Sequence, residues 1–557
     1  MNVLEATRRY MGLKHELEPK FQKLRDLKLF VLDNSIREST VGALRGHTLE
    51  NKFDIFNQTK KLSFQHNIVG AFSRMRRVDD KFVEDIVASG EDMTNKYAFS
   101  EFYDWDFKKN RPADTIPIGL LKCKELKIPN VIMEVDLSNL PEDTEFGHAA
   151  RCKLFEERFA WIKENLTHDK RILINLRDLP TAIIKCTTRA FQTIEFLSKY
   201  RPQIFAIITE EPSGKYFPEE LGNMSKACTE MMRSHGYTGH FLVHVHQQWG
   251  MHNAGVLECL ANGATGIWCS VSEVGAAMGH ASSILTIMNL IRLGNKYVEQ
   301  TYNCKHLREA AQVITQVVTG GKAHPMTPVY GDRALDQVFG AGGMGSGDKV
   351  FDLAGFFDEE VPMRITTLAS EQMIVTRLTR LFGKHPTFTL NMAKEMKKQM
   401  LEDHRHRKEE YHSPVGLATL FDKAGGVKTQ AMLDVLAEWE GSSLHIKGLL
   451  DEIHETWTEW DVKDHVQDDK MSFRNFYDGF LQQYFGCYTC PENEKAITAV
   501  MNVDDDDCSI SWDEFSIFLK WAGKEYPKTE TAEELLEIAF SKGIIPSMQE
   551  ELKKASS

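Results

Sequence analysis

Short apolar runs alternate with amphipathic stretches along the first 330 residues, and this alternation constrains the fold more than any other feature of the chain. The runs are LKLFVLD (27–33), NIVGAF (67–72), PNVIMEVD (129–136), RILINLRD (171–178), IFAIITEE (204–211), GHFLVHVH (239–246) and TGIWCSVS (265–272). A strand followed by a helical stretch, repeated in this way, indicates parallel βαβ units. The number of runs approaches eight and no glycine-rich turn follows the first. We therefore predict a (β/α)8 TIM barrel in preference to an open doubly wound sheet.

Polar residues stand at the C-terminal ends of several of these runs, namely Asp33, Asp136, Asp178, Glu211 and His246. In a TIM barrel these strand ends and the loops that follow them converge on the face where active sites are built. We expect a functional site at that end of the barrel.

From about residue 385 the pattern changes to helices alone. The helical stretches are MAKEMKKQMLEDHRHRKEEY, KTQAMLDVLAEWE, LLDEIHETWTEW, FRNFYDGFLQQYF and EFSIFLKWAG. An all-α domain is therefore expected to follow the barrel.

Composition excludes several classes of function. The formal net charge of -13 argues against nucleic-acid binding, which requires clustered Lys and Arg. No apolar run approaches the roughly 20 residues of a membrane span. The polar start has no apolar signal region and contains Glu5, Glu16 and Glu18, so we expect a cytoplasmic protein. Of the ten cysteines only Cys487 and Cys490 have CxxC spacing, which we interpret as two thiols in a turn.

The strongest local signal is HVHQQWGMHNAG, which begins at His244. Residues i and i+2 of a strand share a face, so His244 and His246 can bind one cation together. The alternative is a pair of buried histidines whose nitrogens are satisfied by carbonyl groups. We predict a divalent metal site.

Five segments resemble the HMG-CoA lyase-like, or DRE-TIM metallolyase, family, which includes 2-isopropylmalate synthase, homocitrate synthase and the carboxyltransferase domain of pyruvate carboxylase. DNSIREST (33–40) is similar to the family's Asp-x-Thr-Leu-Arg-Asp-Gly, and HVHQQWG (244–250) to its His-x-His-Asn-Asp-x-Gly. The other three are ITEEPSGKYFPEEL (208–221), EVGAAMGHAS (273–282) and PVYGDRALDQVFGAGG (328–343). The last resembles a segment that follows the barrel in the synthases. All stand in the family's order.

The resemblance implies that Glu38, His244, His246 and His280 are the metal ligands, with Arg37 beside them holding an enolate or keto oxygen. Glu38 replaces an Asp of the family and His280 an Asn, so the set has three imidazoles and one carboxylate. Nitrogen-rich sets favour Zn²⁺, Mn²⁺, Fe²⁺ or Co²⁺ over Mg²⁺. The alternative is that Glu38 and His280 do not bind the ion.

The resemblance does not assign a general base, because Gln247 and Gln248 replace the two residues that follow the family's histidines. Strand-end carboxylates are the candidates, and each could equally form an ion pair at the barrel mouth: Glu134, Asp136, Asp178 and Glu211. We choose Arg37 and Glu211 as the candidate catalytic residues.

An acidic loop between two helices, VMNVDDDDCSISWDEFSIFLKW, resembles an EF-hand. With Ile510 at loop position 8, the tentative calcium ligands at positions 3, 5, 7, 9 and 12 are Asp505, Asp507, Ser509, Ser511 and Glu514. Position 1 is Val503 and position 6 is Cys508. A partner loop lies 39 residues earlier, with Met471 matching Ile510. The alternative is a helical interaction module with a solvated acidic loop.

The predicted organisation is an N-terminal helix (1–25), a metal-binding barrel (26–325), a post-barrel subdomain (326–400), an EF-hand-like domain (401–535) and a helical tail (536–557). The DRE-TIM resemblance implies a homodimeric enzyme that forms or breaks a carbon–carbon bond in a 2-oxoacid or acyl-CoA through a metal-stabilised enolate. The EF-hand resemblance implies that calcium could regulate it. Two alternatives remain. One is a repurposed metal site serving an iron-dependent oxygenase or a hydrolase, and the other is a catalytically inactive, calcium-responsive binding protein.

Overall fold

The computed structural model describes most of the chain in two compact units. The described residues are 2–41, 47–106, 111–139, 147–166, 170–276, 278–335, 337–338, 353–359, 363–404, 411, 414–461, 470–472, 475–481, 509–525, 529 and 531–541. Unit 1 comprises Met1–Leu335 and Val350–Glu360, and unit 2 comprises Asp336–Lys349 and Val361–Ser557. Within the described part of the chain, no helix is both long and apolar enough to cross a membrane.

Unit 1 is built on a closed barrel of eight parallel strands. The strands of this unit are β1 (Phe30–Asp33), β2 (His66–Ala71), β3 (Lys96–Glu101), β4 (Trp105–Asp106), β5 (Arg111–Pro112), β6 (Asn130–Asp136), β7 (Ile172–Arg177), β8 (Ala206–Glu211), β9 (His240–Val245) and β10 (Gly266–Cys269). The order around the barrel is β1-β10-β9-β8-β7-β6-β3-β2, and β4 and β5 form a separate antiparallel pair. The predicted (β/α)8 barrel is confirmed.

Helices follow the barrel strands, as the alternation predicted, and one further helix precedes the first strand. They are α1 (Val3–Asp26), α2 (Ser35–Val41), α3 (Leu49–Lys61), α4 (Val78–Ala88), α5 (Ile118–Glu125), α6 (His148–Asn165), α7 (Leu179–Lys185), α8 (Thr187–Lys199), α9 (Pro218–Ser234), α10 (His252–Ala261), α11 (Ser283–Leu293), α12 (Lys296–Thr301), α13 (Leu307–Thr319) and α14 (Leu353–Phe356). A short 3-10 turn, Cys304–His306, precedes α13.

Each strand directs alternate side chains to the barrel lumen and to the helices. The lumen cluster contains Leu32, Ile68, Tyr97, Phe99, Ile132, Leu173, Ala206, Ile208, Leu242 and Trp268. Their strand neighbours, such as Val31 and Val243, belong to the larger core between strands and helices. This period-2 alternation decides which strand-end residues reach the lumen.

The sequence prediction missed β3. Its residues, KYAFSE, begin with Lys96 and end with Glu101, so they do not form the continuous apolar run by which the other strands were recognised. In the structure Lys96 lies on the outer side and donates to Asn67 Oδ1 at 2.9 Å. Lys96 therefore stands at a position where a strand pattern predicts an apolar residue, and its buried partner Asn67 makes this possible.

Unit 2 contains six helices among its described residues. They are α15 (Glu371–Phe382), α16 (Leu390–His404), α17 (Pro414–Lys423), α18 (Gln430–Asp461), α19 (Trp512–Glu525) and α20 (Ala532–Ser541). The remaining described elements are β11 (Gln337–Val338), β12 (Met363–Arg364), β13 (Lys470–Ser472), β14 (Ser509–Ser511) and a π-helical turn, Phe476–Leu481. The helical character predicted for this region is confirmed.

Two hydrophobic clusters lie in unit 2. One runs from Ile365 to Met432 and the other from Ile446 to Ala539, and the single long helix α18 contributes to both. The predicted boundary at residue 400 falls inside α16, and the one at residue 535 falls inside α20. The predicted division of this region stays a prediction.

β13 and β14 pair as antiparallel strands in unit 2, with Met471 directly opposite Ile510. Ser509 and Ser511, two of the tentative calcium ligands, lie on β14, and Glu514 lies in the first turn of α19. Asp505 and Asp507 lie outside the described residues, as do Cys487 and Cys490.

Candidate metal centre at the barrel mouth

Three histidines meet at the C-terminal end of the barrel. His244 shares the lumen face of β9 with Leu242, and His246 follows directly after the strand. His280, in the loop between β10 and α11, forms an isolated antiparallel bridge with His246. All three side chains are buried. The tertiary fold thus brings together the three histidines that the sequence singled out.

The protonation of His244 follows from its contacts. Its Nδ1 lies 2.8 Å from the carbonyl oxygen of Trp268, and because a carbonyl only accepts, Nδ1 carries the proton. Its ring also stacks on the Trp268 indole, with centroids 3.9 Å apart. Nε2 therefore presents a lone pair toward the mouth. A backbone carbonyl on the opposite nitrogen is the usual support for a metal-binding histidine.

The Nε2 atoms of His244 and His246 face each other at 3.2 Å. Two nitrogens this far apart, each about 2.1 Å from one ion, would subtend about 100° at that ion. That angle lies between the octahedral and tetrahedral values. The pair therefore has the spacing of two ligands of a single ion.

His280 completes the group. Its Nδ1 lies 3.1 Å from the carbonyl oxygen of Ala281, which leaves Nε2 as the lone-pair nitrogen. This Nε2 is buried and has no hydrogen-bond partner among the described residues. The ring centroid lies 4.6 Å from that of His244 and 6.0 Å from that of His246. A buried nitrogen left in this state needs a ligand to satisfy it.

Burial keeps the three imidazoles neutral. It lowers the pKa of His246 to about 4, and it lowers the pKa values of His244 and His280 from their usual range. A metal-binding imidazole must be neutral, so this environment prepares the donors at physiological pH.

Glu38 lies next to the histidines but its carboxylate is already engaged. Oε1 accepts from Asn34 Nδ2 at 2.7 Å and from Arg37, and Oε2 accepts from the backbone N–H of Ala276 at 2.9 Å. Although burial alone would raise the pKa of Glu38, the charge of Arg37 and these hydrogen bonds outweigh it, and the pKa is lowered. Glu38 is therefore an anion at the edge of the site.

The observed arrangement fits a metal ion only in part. Over the described part of the chain, no three His, Cys, Asp or Glu side chains are already placed to hold an ion together. What fits is the pair of Nε2 atoms at 3.2 Å and the orphaned Nε2 of His280 beside it. The donor chemistry is that of a nitrogen-rich transition-metal site.

Arg37 lies at the same end of the barrel. Its guanidinium forms an ion pair with Glu38 and packs over the Phe99 ring, with Cζ 4.4 Å from the ring centroid. The aromatic face below and the carboxylate beside it fix the orientation of the guanidinium. The structure places Arg37 close enough to His244 and His280 for its charge to contribute to lowering their pKa values.

Glu211 does not join them, and its neighbour Glu210 does. Glu211 accepts from the backbone N–H of Ser213 at 3.0 Å and so closes the turn after β8. Glu210 lies on the same face of β8 as Ala206 and Ile208, which point into the lumen, and its Oε1 lies 3.9 Å from His246 Nε2. The period-2 rule could have identified Glu210 if the strand's inward face had been assigned from Ile208.

The Glu210 carboxylate lies between Asn175 and Arg177. Asn175 Nδ2 donates to its Oε2 at 2.6 Å, and Arg177 Nε lies 3.9 Å from its Oε1. Burial first, and the nearby Glu134 carboxylate second, raise the pKa of Glu210 to about 7. A carboxylate with such a pKa can accept and return a proton near neutrality.

The other predicted carboxylates have local roles. Glu134 forms an ion pair with Arg177, with 3.6 Å between Nη1 and Oε1. Asp136 accepts from the backbone N–H groups of Ser138 and Asn139. Asp178 precedes α7 in a left-handed conformation, with φ of 50°. Glu134 and Asp136 stand two and four residues after Ile132 on β6 and so share its lumen face, whereas Asp178 lies just after β7.

A (β/α)8 barrel with a histidine-lined mouth is the class that this fold and site define. Neither a scan against protein-family models nor a search of curated proteins finds a match. Solved structures do match. The HMG-CoA lyase of Bacillus subtilis is 15% identical, with 52% of this chain and 93% of that chain covered and a TM-score of 0.38.

Two further solved structures resemble the barrel. The hydroxymethylglutaryl-CoA lyase of Pseudomonas aeruginosa is 14% identical, with 54% of this chain and 95% of that chain covered and a TM-score of 0.39. A pyruvate carboxylase of Rhizobium etli is 13% identical, with 56% of this chain and 30% of that chain covered and a TM-score of 0.35. These are the protein types that the motifs resembled, and at these identities the likeness concerns the fold alone.

Proposed function

We propose that this chain is a metal-dependent enzyme that forms or breaks a carbon–carbon bond in a 2-oxoacid or an acyl thioester. The single observation that carries the proposal is the pair of neutral, buried Nε2 atoms of His244 and His246, 3.2 Å apart at the barrel mouth. Active sites of TIM barrels are built at this face. The synthase branch is the finer proposal, and it rests on the motif at 328–343.

The residues that would hold the ion are His244, His246 and His280, with Glu38 as an anionic neighbour. Three imidazoles and a carboxylate favour Zn²⁺, Mn²⁺, Fe²⁺ or Co²⁺. When bound, such an ion would act as a Lewis acid on a substrate carbonyl.

Arg37 and Glu210 supply the remaining roles. The guanidinium of Arg37, fixed between Phe99 and Glu38, would donate to the oxygen on which negative charge develops. Glu210 Oε1, 3.9 Å from His246, would remove or return the proton at the carbon next to the carbonyl. Glu210 takes the role that was predicted from the sequence for Glu211.

The test begins with metal binding by the full chain. Wild type should bind one ion and gain thermal stability, by about 2.7 kcal/mol at a metal concentration of one hundred times Kd. His244→Ala and His246→Ala should lose both effects. His240→Ala is the matched control, because His240 lies on the same strand at the opposite end of the barrel, with its ring centroid 4.4 Å from that of Phe30.

The reaction itself is tested by supplying acyl-CoA with a panel of 2-oxoacids and measuring release of free CoA. Release that His246→Ala abolishes and His240→Ala preserves supports the synthase proposal. Cleavage of a hydroxyacyl-CoA without an added 2-oxoacid would instead support the lyase branch.

A second candidate follows from the nitrogen-rich donor set, which also suits iron in an oxygenase or a metal-bound water in a hydrolase. Stoichiometric iron together with oxygen consumption would favour it and would rule out the synthase. If neither metal nor substrate bound, the catalytically inactive binding protein would remain. The homodimer implied by residues 328–385 and the cytoplasmic location are carried forward as predictions.

For unit 2 we propose an EF-hand-like, calcium-responsive module. Its support is the antiparallel pairing of Met471 with Ile510, the two positions matched as position 8 of paired loops. Calcium titration of the full chain should give binding that Glu514→Gln weakens at least tenfold. Glu533→Gln, an exposed position on α20, is the matched control. Equal affinity in both variants would contradict the proposal.

A further inference from the structure

Helix α1 is attached to the barrel only at its C-terminal end. Leu24 is buried, Asn295 Nδ2 donates to the carbonyls of Leu24 and Leu27, and Lys20 forms an ion pair with Glu258. Residues 2–19, by contrast, are exposed throughout. About 25 Å of helix therefore extends into solvent, and helices of this length owe most of their stability to packing.

The exposed part of α1 has an apolar seam. Val3, Ala6, Tyr10, Leu13 and Leu17 follow one another at alternating intervals of three and four residues, which places them on one face. Val3 is 84% exposed, Tyr10 66%, Leu13 49% and Leu17 46%. The seam ends just before Pro19, where the helix loses a backbone hydrogen bond. Large exposed side chains in such a row mark an interaction surface.

We propose that this seam packs against the α1 seam of a second copy of the chain, with the two helices antiparallel. In the register that sets Tyr10 opposite Leu13 of the other copy, Ala6 lies opposite Leu17. Two-fold symmetry repeats every contact, so one surface serves both chains.

The charges beside the seam select this orientation. Arg9 and Glu16 flank it on one side, and Lys14 flanks it on the other. In the antiparallel register Arg9 faces Glu16 of the other copy, and symmetry gives this attractive pair twice. A parallel pair would instead set Arg9 opposite Lys14, which repel each other. Flanking charges of this kind set the partner and the orientation in coiled coils.

The test measures the molar mass of the full chain by sedimentation over a range of concentrations. Wild type should have at least twice the molar mass of Leu13→Glu at the same concentrations, a ratio that a separate contact through residues 328–385 would leave in place. Met11→Glu is the matched control, since Met11 is 46% exposed but lies about 120° around the helix from the seam. It should dimerise as wild type does.

Charge reversal tests the register. Arg9→Glu or Glu16→Arg alone should raise the dimer dissociation constant roughly tenfold, because two attractive pairs become repulsive. The double variant should restore it. A wild-type chain that stays monomeric, with or without binding to anionic vesicles, would overturn the proposal. So would a dimer that Leu13→Glu leaves intact, or a double variant that remains as weak as the single ones.

Discussion

Lys52 and Asp79 form an ion pair in which neither side chain is exposed, and its removal gives the sharpest test of how the site is supported. Lys52 Nζ lies 2.5 Å from Asp79 Oδ1 and also donates to the carbonyl of Ile36 at 2.9 Å. Ile36 immediately precedes Arg37 in α2. The pair thus joins α3 and α4 to the helix that carries Arg37 and Glu38.

Lys52→Met keeps the length of the side chain and removes its charge. The Asp79 carboxylate then stays buried without the cation that faces it, which costs about 3–5 kcal/mol. The hydrogen bond from the Lys52 ammonium to the carbonyl of Ile36 is also lost, at about 1.5–3 kcal/mol for a charged donor, and the two costs overlap because one ammonium serves both. In Lys52→Met/Asp79→Leu only the second cost remains, because a buried ion pair can be replaced by apolar residues at little cost.

The assay is urea unfolding of the full chain, combined with hydrogen exchange of peptides covering α2 and α3. Lys60→Met is the matched control on α3, because Lys60 is half-exposed and its pairing with Glu91 at 2.8 Å contributes at most about 1 kcal/mol. Faster exchange in α2 is expected for both the single and the double variant, and a large loss of stability for the single one only. A Lys52→Met variant as stable as Lys60→Met would refute this account of the pair.

Three further predictions concern the mouth and the strand ends. Gly275→Ala should weaken metal binding more than tenfold, since a Cβ at position 275 would overlap the His280 ring; unchanged affinity by calorimetry would mean that His280 is not a ligand. Glu210→Gln should abolish turnover while metal binding persists, whereas Glu211→Gln should retain most turnover; the reverse result would restore Glu211 as the base. Burial raises the pKa of Asp33 from 3.8 to about 7, so the stability linked to its neutral form is present below about pH 4 and is lost as the pH rises to about 7. Asp33→Asn should remove this pH dependence of the free energy of unfolding, which is on the order of 4 kcal/mol. If the free energy of unfolding changed with pH equally in wild type and in Asp33→Asn, the prediction would be contradicted.

The sequence determined the repeating architecture and the pair at the centre of the site. Strand and helix periods are local, so the alternation of apolar runs was sufficient to predict a barrel. The spacing of His244 and His246 was sufficient to predict a shared face. The order of the family-like segments added His280 and Arg37. β3 was missed because charged residues, Lys96 and Glu101, stand at its two ends, and the buried partner of Lys96 comes from another strand.

Only the tertiary structure decided which carboxylate enters the lumen and how the ligands are held. A period of two fixes which residues share a face, but it does not say which face points inward, so Glu210 and Glu211 could not be distinguished at the strand end. The pairing of His246 with His280 joins residues 34 positions apart, and Glu38 meets Ala276 across 238 positions. The sequence thus named the candidate donors of the site, whereas closure of the barrel set their protonation, orientation and neighbours.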